Sequence, residues 1–153
     1  RTFQDQIERR GIARIHRHSY IRGQADRAVA RGDAVRILPG VVAATPLARD
    51  PETIIRALFL WHRDVVLVGK TALILLGMTA PGSVRPMDLR TVDEVEAFSR
   101  TRALVRPGIR VHRWHVPHRF ITERERIRLA APEVSVLVLA IQGEWEWVCE
   151  ALR

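Results

Sequence analysis

Four arginines within fifteen residues, Arg22, Arg27, Arg31 and Arg36, form the chain's most concentrated chemistry. A guanidinium is planar, permanently charged and donates in a fork that fits a phosphate or the edge of a guanine. Arg17 lies just upstream, and Gly23 and Gln24 fall between the arginines. A glycine lets backbone come close to a phosphate, and a glutamine amide can pair with adenine. Together these residue types suit double-stranded DNA, provided that one surface presents them.

The segment that must present them is SYIRGQADRAVARGDAVRILPGVVAAT, Ser19 to Thr45. On a helix from Tyr20 to Arg31, Ile21, Ala25, Ala28 and Val29 fall at i, i+4, i+7 and i+8 and form an apolar stripe. Arg22, Gly23, Asp26, Arg27 and Ala30 take the opposite face, with Gln24 and Arg31 on a flank. Gly32 stops this helix, and Ala34–Leu38 and Val41–Ala44 read as strands around Pro39-Gly40. A basic helix followed by a β-ribbon is the order of a winged helix-turn-helix, which places the helix in the major groove and the ribbon beside it. Arg36 then reaches backbone phosphate from the ribbon, and two molecules are expected on an inverted repeat.

Upstream, Thr2 and Asp5 form an imperfect capping box for a first helix that Gly11 ends. Ile12 and Ile15 predict a short second helix up to Arg17, and Ser19 caps the third. Downstream, Thr45–Arg49 reads as a linker, and Asp50-Pro51-Glu52 is a strong helix start leading to His62 or Arg63. Val65–Val68 is strand-like, Thr71–Leu76 a buried helix stopped by Gly77, and Ala80–Ser83 a loop. Val84–Val92 and Ile109–Val116 alternate as strands, Phe120-Ile121 and Ile127–Leu129 are shorter ones, and helices follow from Pro132 to Ile141 and from Glu144 to Leu152. The expected fold is α+β: a winged helix-turn-helix over residues 1–46, then a small mixed α/β domain over 47–153.

Composition narrows the class. At 47% apolar residues, the chain of 153 has enough material for a packed core. The net charge of +8 is unevenly spread. Residues 1–36 carry nine arginines against four acids, and residues 100–128 nine against two. The segment between is near neutral, and the C-terminal end is acidic. Two basic zones of this kind direct a field at a polyanion. Cys149 is the single cysteine, so an intrachain disulfide is excluded and a reducing cytoplasm is the natural home. The N-terminus is charged rather than apolar, so no signal peptide is expected; the chain lacks an initial methionine, and the native start is expected upstream. The apolar runs Val65–Met78 and Val134–Ile141 are too short for a bilayer, so no membrane partner is expected.

Other residues suggest chemistry and fall short of it. Gly69-Lys70-Thr71 ends like a P-loop, but Asp64 stands where the motif needs its first glycine. His112, His115 and His118 are three apart, and on a strand neighbours at that spacing point to opposite faces, so no metal site is expected. Arg110, Arg113 and Arg119 make the same stretch a candidate second basic surface. Trp145 and Trp147 are candidate partner-binding residues beside the acidic end. No nucleophile–base or paired-carboxylate pattern stands out, so neither catalysis nor a cofactor is expected.

Four stretches carry a resemblance: AVARGDAVRILPGVVAA, DVVLVGKTALILLGM, RPGIRVHRWHVP and IRLAAPEVSVLVLA. In this order they resemble the AbiEi-type antitoxins of bacterial type IV toxin–antitoxin systems, particularly the actinobacterial ones. The resemblance implies a winged helix that represses its own promoter, and a following domain that counters a nucleotidyltransferase-like toxin. The chain departs from the family in a short segment between Gly11 and Tyr20, in few basic residues at Pro39-Gly40, and in Val138 where an aspartate is common. Two other classes remain open: an RNA-binding or adaptor protein using residues 100–128, and the DNA-targeting part of a nuclease.

Overall fold

In the computed structural model of the chain, which describes residues 2–17, 19–79 and 83–153, helix α1 spans Phe3–Arg10. The expected capping box starts it: the Thr2 hydroxyl accepts from the Asp5 amide at 3.1 Å, and the Thr2 amide donates to the Asp5 carboxylate at 3.3 Å. Hydrogen bonding to the Thr2 side chain, then to its backbone, holds the Asp5 carboxyl below the usual carboxylate range. This cap therefore loosens as pH falls through the acid range. Gly11 ends the helix at φ +71°, a left-handed geometry suited to glycine.

Ile12–Arg14 is strand β1, not the short helix expected there. Six residues without a cap cannot offset helix nucleation, whereas pairing with a neighbouring strand satisfies their backbone and buries Ile12 and Ala13. Helix α2 spans Arg22–Ala30. Ser19 stands two positions too early to cap it in the expected way; its hydroxyl accepts from the Ile21 amide at 3.2 Å. Strands β2 (Ala34–Leu38) and β3 (Val41–Ala44) have the expected bounds, and the antiparallel sheet runs β1-β3-β2. The stripe of α2 packs into a core of Phe3, Ala13, Ile21, Ala25, Ala28, Ala34 and Val42.

Thr45–Leu47 is a turn of 3-10 helix, and helix α3 spans Pro51–Trp61, capped by Asp50 through the Thr53 amide at 3.0 Å. Its buried face, Ile54, Ile55 and Leu58, packs on the first sheet. The chain consequently divides at Arg63/Asp64 rather than at the expected 46/47. An amphipathic helix this close to an open sheet face belongs to the unit whose core it completes.

The second unit holds β4 (Val66–Leu67), α4 (Gly69–Leu75), β5 (Val95–Ser99), β6 (Leu104–Arg106), β7 (Ile109–Arg113), β8 (Ile121–Arg124), β9 (Ile127–Ala130), α5 (Pro132–Ile141) and α6 (Trp145–Ala151). Its six-stranded sheet runs β6-β7-β5-β4-β9-β8. β5 pairs parallel with β7 and β4 with β9, while the other neighbours are antiparallel. This register sends the C-terminal ends of β5, β7 and β8 to one end of the sheet. Helices α4, α5 and α6 meet around Leu73, Leu139 and Val148.

The strand expected at Val84–Val92 lies instead at Val95–Ser99. Val84 is 94% exposed, Pro86 makes a single bridge to Thr79, and Leu89–Thr91 is a 3-10 turn. β7 stops at Arg113, and Phe120 closes a 3-10 turn ahead of β8. Residues 80–82 of the expected loop lie outside the described residues. The whole is α+β, and no helix among the described residues is long and apolar enough to cross a membrane.

Candidate nucleic-acid interface

Burying Ile21, Ala25 and Ala28 turns the opposite face of α2 to solvent, with Arg22 and Arg27 both exposed. Arg22 is steadied by a hydrogen bond from its Nη1 to the Arg17 carbonyl at 3.3 Å. Arg27 folds back along the helix, its Nη1 3.5 Å from the point that a Cβ on Gly23 would occupy. The Arg27 guanidinium therefore lies beside Gly23, one turn nearer the start of the helix.

Beside α2 stands the β2–β3 hairpin. Gly40 turns it at φ +72°, where an added Cβ would stand 3.3 Å from the Ile15 carbonyl oxygen. Between helix and hairpin lies a cleft of about 330 Å³, bordered by His16, Arg17, Arg22, Asp26, Arg36 and Gly40. Three guanidiniums around one carboxylate make it net positive, and its size accepts a phosphate. Arg36 is bound across the cleft by Asp26.

Two sequence-selected residues are engaged elsewhere. Gln24 accepts the Phe3 amide at 3.2 Å, satisfying an open donor in the first turn of α1 rather than facing outward. Arg31 pairs with Asp33 at 3.0 Å, both exposed at the helix end. Asp26 and His16 were not singled out by sequence. For Asp26 the signal was there: it shares the exposed helix face with Arg27.

In the second unit, Arg110, Arg113 and Arg119 do not form one surface. Arg110 and Arg113 are three apart on β7 and point to opposite faces. Arg110 pairs with Glu94 at 2.8 Å, and Arg119 lies 4.8 Å over the Phe120 ring. The tryptophans also separate. Trp145 is exposed, whereas Trp147 packs beside the Leu73–Leu139–Val148 core with Lys70 Nζ 4.9 Å from its ring.

A polar cleft of about 450 Å³ lies at the other end of this sheet, around Glu96. The Glu96 side chain is 9% exposed, and its carboxylate meets His112 Nε2 at 2.7 Å and Gln142 Nε2 at 2.6 Å. Its backbone amide donates to Thr71 Oγ1 at 3.1 Å, and Lys70 pairs with Glu144 at 3.0 Å. These charges answer one another, so the cleft reads as an internal brace joining β5, β7, α4 and α5. Nothing in the sequence reveals the Glu96–His112 pair, because it exists only through the β5–β7 pairing. Compared with known proteins, the chain matches no family model and no curated protein sequence.

Proposed function

We propose that this chain is a DNA-binding autorepressor and antitoxin of a type IV toxin–antitoxin system, acting in the cytoplasm against a nucleotidyltransferase-like toxin. One observation carries the DNA half. The order α1-β1-α2-β2-β3, with the sheet β1-β3-β2, sets an arginine-bearing helix against a hairpin. This order supports reading the first unit as a reduced winged helix, with α2 as its recognition helix and the hairpin as its wing. The helix α2 enters the major groove through Arg22 and Arg27, and the hairpin tracks the adjoining backbone. The antitoxin half rests on the family resemblance. In that reading Trp145, between Glu144 and Glu146 at the start of α6, belongs to the toxin-facing surface.

The test is a titration of the full chain with its own upstream DNA and with a shuffled duplex at physiological salt. A site bound about 10³-fold or more tightly than the shuffled duplex, by about two copies, is the expected result. Equal affinity for the two would remove the repressor reading. Co-expression with a neighbouring nucleotidyltransferase-type gene should relieve growth arrest, and an arrest that persists counts against the antitoxin.

The Asp26–Arg36 pair yields a prediction of opposite sign to most interface substitutions. Asp26→Asn removes a negative charge from the helix face and releases Arg36 for phosphate. Exposed pairs of this kind are worth about 0.2–1 kcal/mol, so duplex binding should tighten by roughly 1.4- to 5-fold. The dependence on salt should steepen. Weaker binding by Asp26→Asn would instead mean that Asp26 reads a base, such as the amino group of cytosine.

A further inference from the structure

The geometry points to a second binding surface, for single-stranded nucleic acid, at the end of the large sheet where Trp114 stands. The strand directions fix what gathers there. β5 and β7 are parallel with Ser99 level with Arg113, so the next residues, Arg100 and Trp114, leave the sheet side by side. The Trp114 amide donates to the Ser99 carbonyl at 2.9 Å, which holds them together. β8 and β9 turn around at the same end through Glu125 and Arg126, both at positive φ. That turn lies three to four strand spacings from β7, about 14–19 Å.

Trp114 is 65% exposed, and its ring rests against Phe98 at 6.5 Å between centroids. An indole supported on one side and open on the other is a platform for a base. Arg100, Arg102, Arg113, Arg124 and Arg126 are exposed at this end. Among the described residues none of these five has a carboxylate partner. The carboxylate of Asp64 is occupied by the loop that follows β5: it accepts from the Arg100 amide at 3.0 Å, from the Ser99 hydroxyl at 3.2 Å and from the Thr101 hydroxyl at 3.3 Å. Ser99 Oγ in turn accepts from the Arg102 amide at 3.2 Å. The loop that carries Arg100 and Arg102 is thus fixed before any ligand arrives, which lowers the ordering cost of binding.

Phosphates on the arginines and an unpaired base on Trp114 use both features at once. A duplex keeps its bases stacked on one another and offers the indole no face, so the aromatic selects for unpaired strands. The surface shares no residue with α2, and its test separates from that of the DNA reading.

The experiment measures binding of the full chain to labelled oligo(dT) and oligo(U) of about 12 nucleotides and to a duplex of equal length. Trp114→Ala should weaken single-strand binding by roughly 5- to 100-fold and leave duplex binding and thermal stability unchanged. Trp114→Phe should restore most of the loss, and Arg100→Ala with Arg102→Ala should flatten the salt dependence. Arg22→Ala with Arg27→Ala should leave single-strand binding intact. Oligo(dU), which differs from oligo(U) in the sugar alone, is included as a third single strand, and tighter binding of either of these two identifies the sugar recognised. The proposal falls if wild-type and Trp114→Ala bind single strands equally, or if the substitution weakens duplex and single strand alike.

Discussion

Alanine at Arg27 is expected to weaken binding to the specific duplex by roughly 1–3 kcal/mol, with relaxed preference at one base position. Three features make Arg27 the sharpest choice. It is exposed on the face of α2 opposite the buried stripe. Among the described residues it has no carboxylate partner, so its removal leaves no orphaned charge. Its guanidinium lies beside Gly23, near the start of the helix, where base edges are read. Arg36→Ala should behave differently, lowering affinity for all sequences alike and reducing the salt slope by less than about one unit, because Asp26 already engages this guanidinium. Anisotropy titrations against single-base variants of the site, at several salt concentrations, distinguish the two. If Arg22→Ala with Arg27→Ala leaves affinity and preference unchanged, α2 is not the reading element.

Gly69→Ala is expected to destabilise the second unit by about 3 kcal/mol, a Tm drop of roughly 12–24 °C for a unit of this size. Gly69 has φ +63°, a conformation that costs an L-residue about 1–2 kcal/mol. An added Cβ would also run into Glu96 Oε1, well inside van der Waals contact. That carboxylate cannot swing aside freely, because His112 and Gln142 hold its other oxygen. The Gly69 amide is itself tied to the Ser135 hydroxyl at 3.1 Å in a buried setting. A double-mutant cycle separates the two causes: in a Glu96→Ser background the cost of Gly69→Ala should shrink to the backbone strain alone. An unchanged cost in both backgrounds would show that the carboxylate contributes nothing to it.

Sequence alone determined the elements whose signals are local. The Thr2–Asp5 box, the Asp50-Pro51 start, the glycine stops at Gly11 and Gly32 and the turn at Pro39-Gly40 act within a few residues of themselves. Each appears where expected, because caps and turns depend on backbone geometry at that point and little else. The stripe of Ile21, Ala25 and Ala28 fixed in the same way which face of α2 carries Arg22 and Arg27. Tertiary structure decided whatever depends on partners distant in sequence. Ile12–Arg14 became a strand because β3 offered an unpaired edge, and α3 joined the first unit because a sheet face needed covering. Val95–Ser99, not the alternating Val84–Val92, became the strand, because burial rather than alternation selects a strand bordered on both sides. The same dependence explains the site residues. The Gln24 amide was drawn to α1, Arg36 to Asp26 and Arg110 to Glu94, each by a group that folding brought near. Arg100 and Trp114 became neighbours only when β5 and β7 paired in parallel, a register that no local signal in either strand contains.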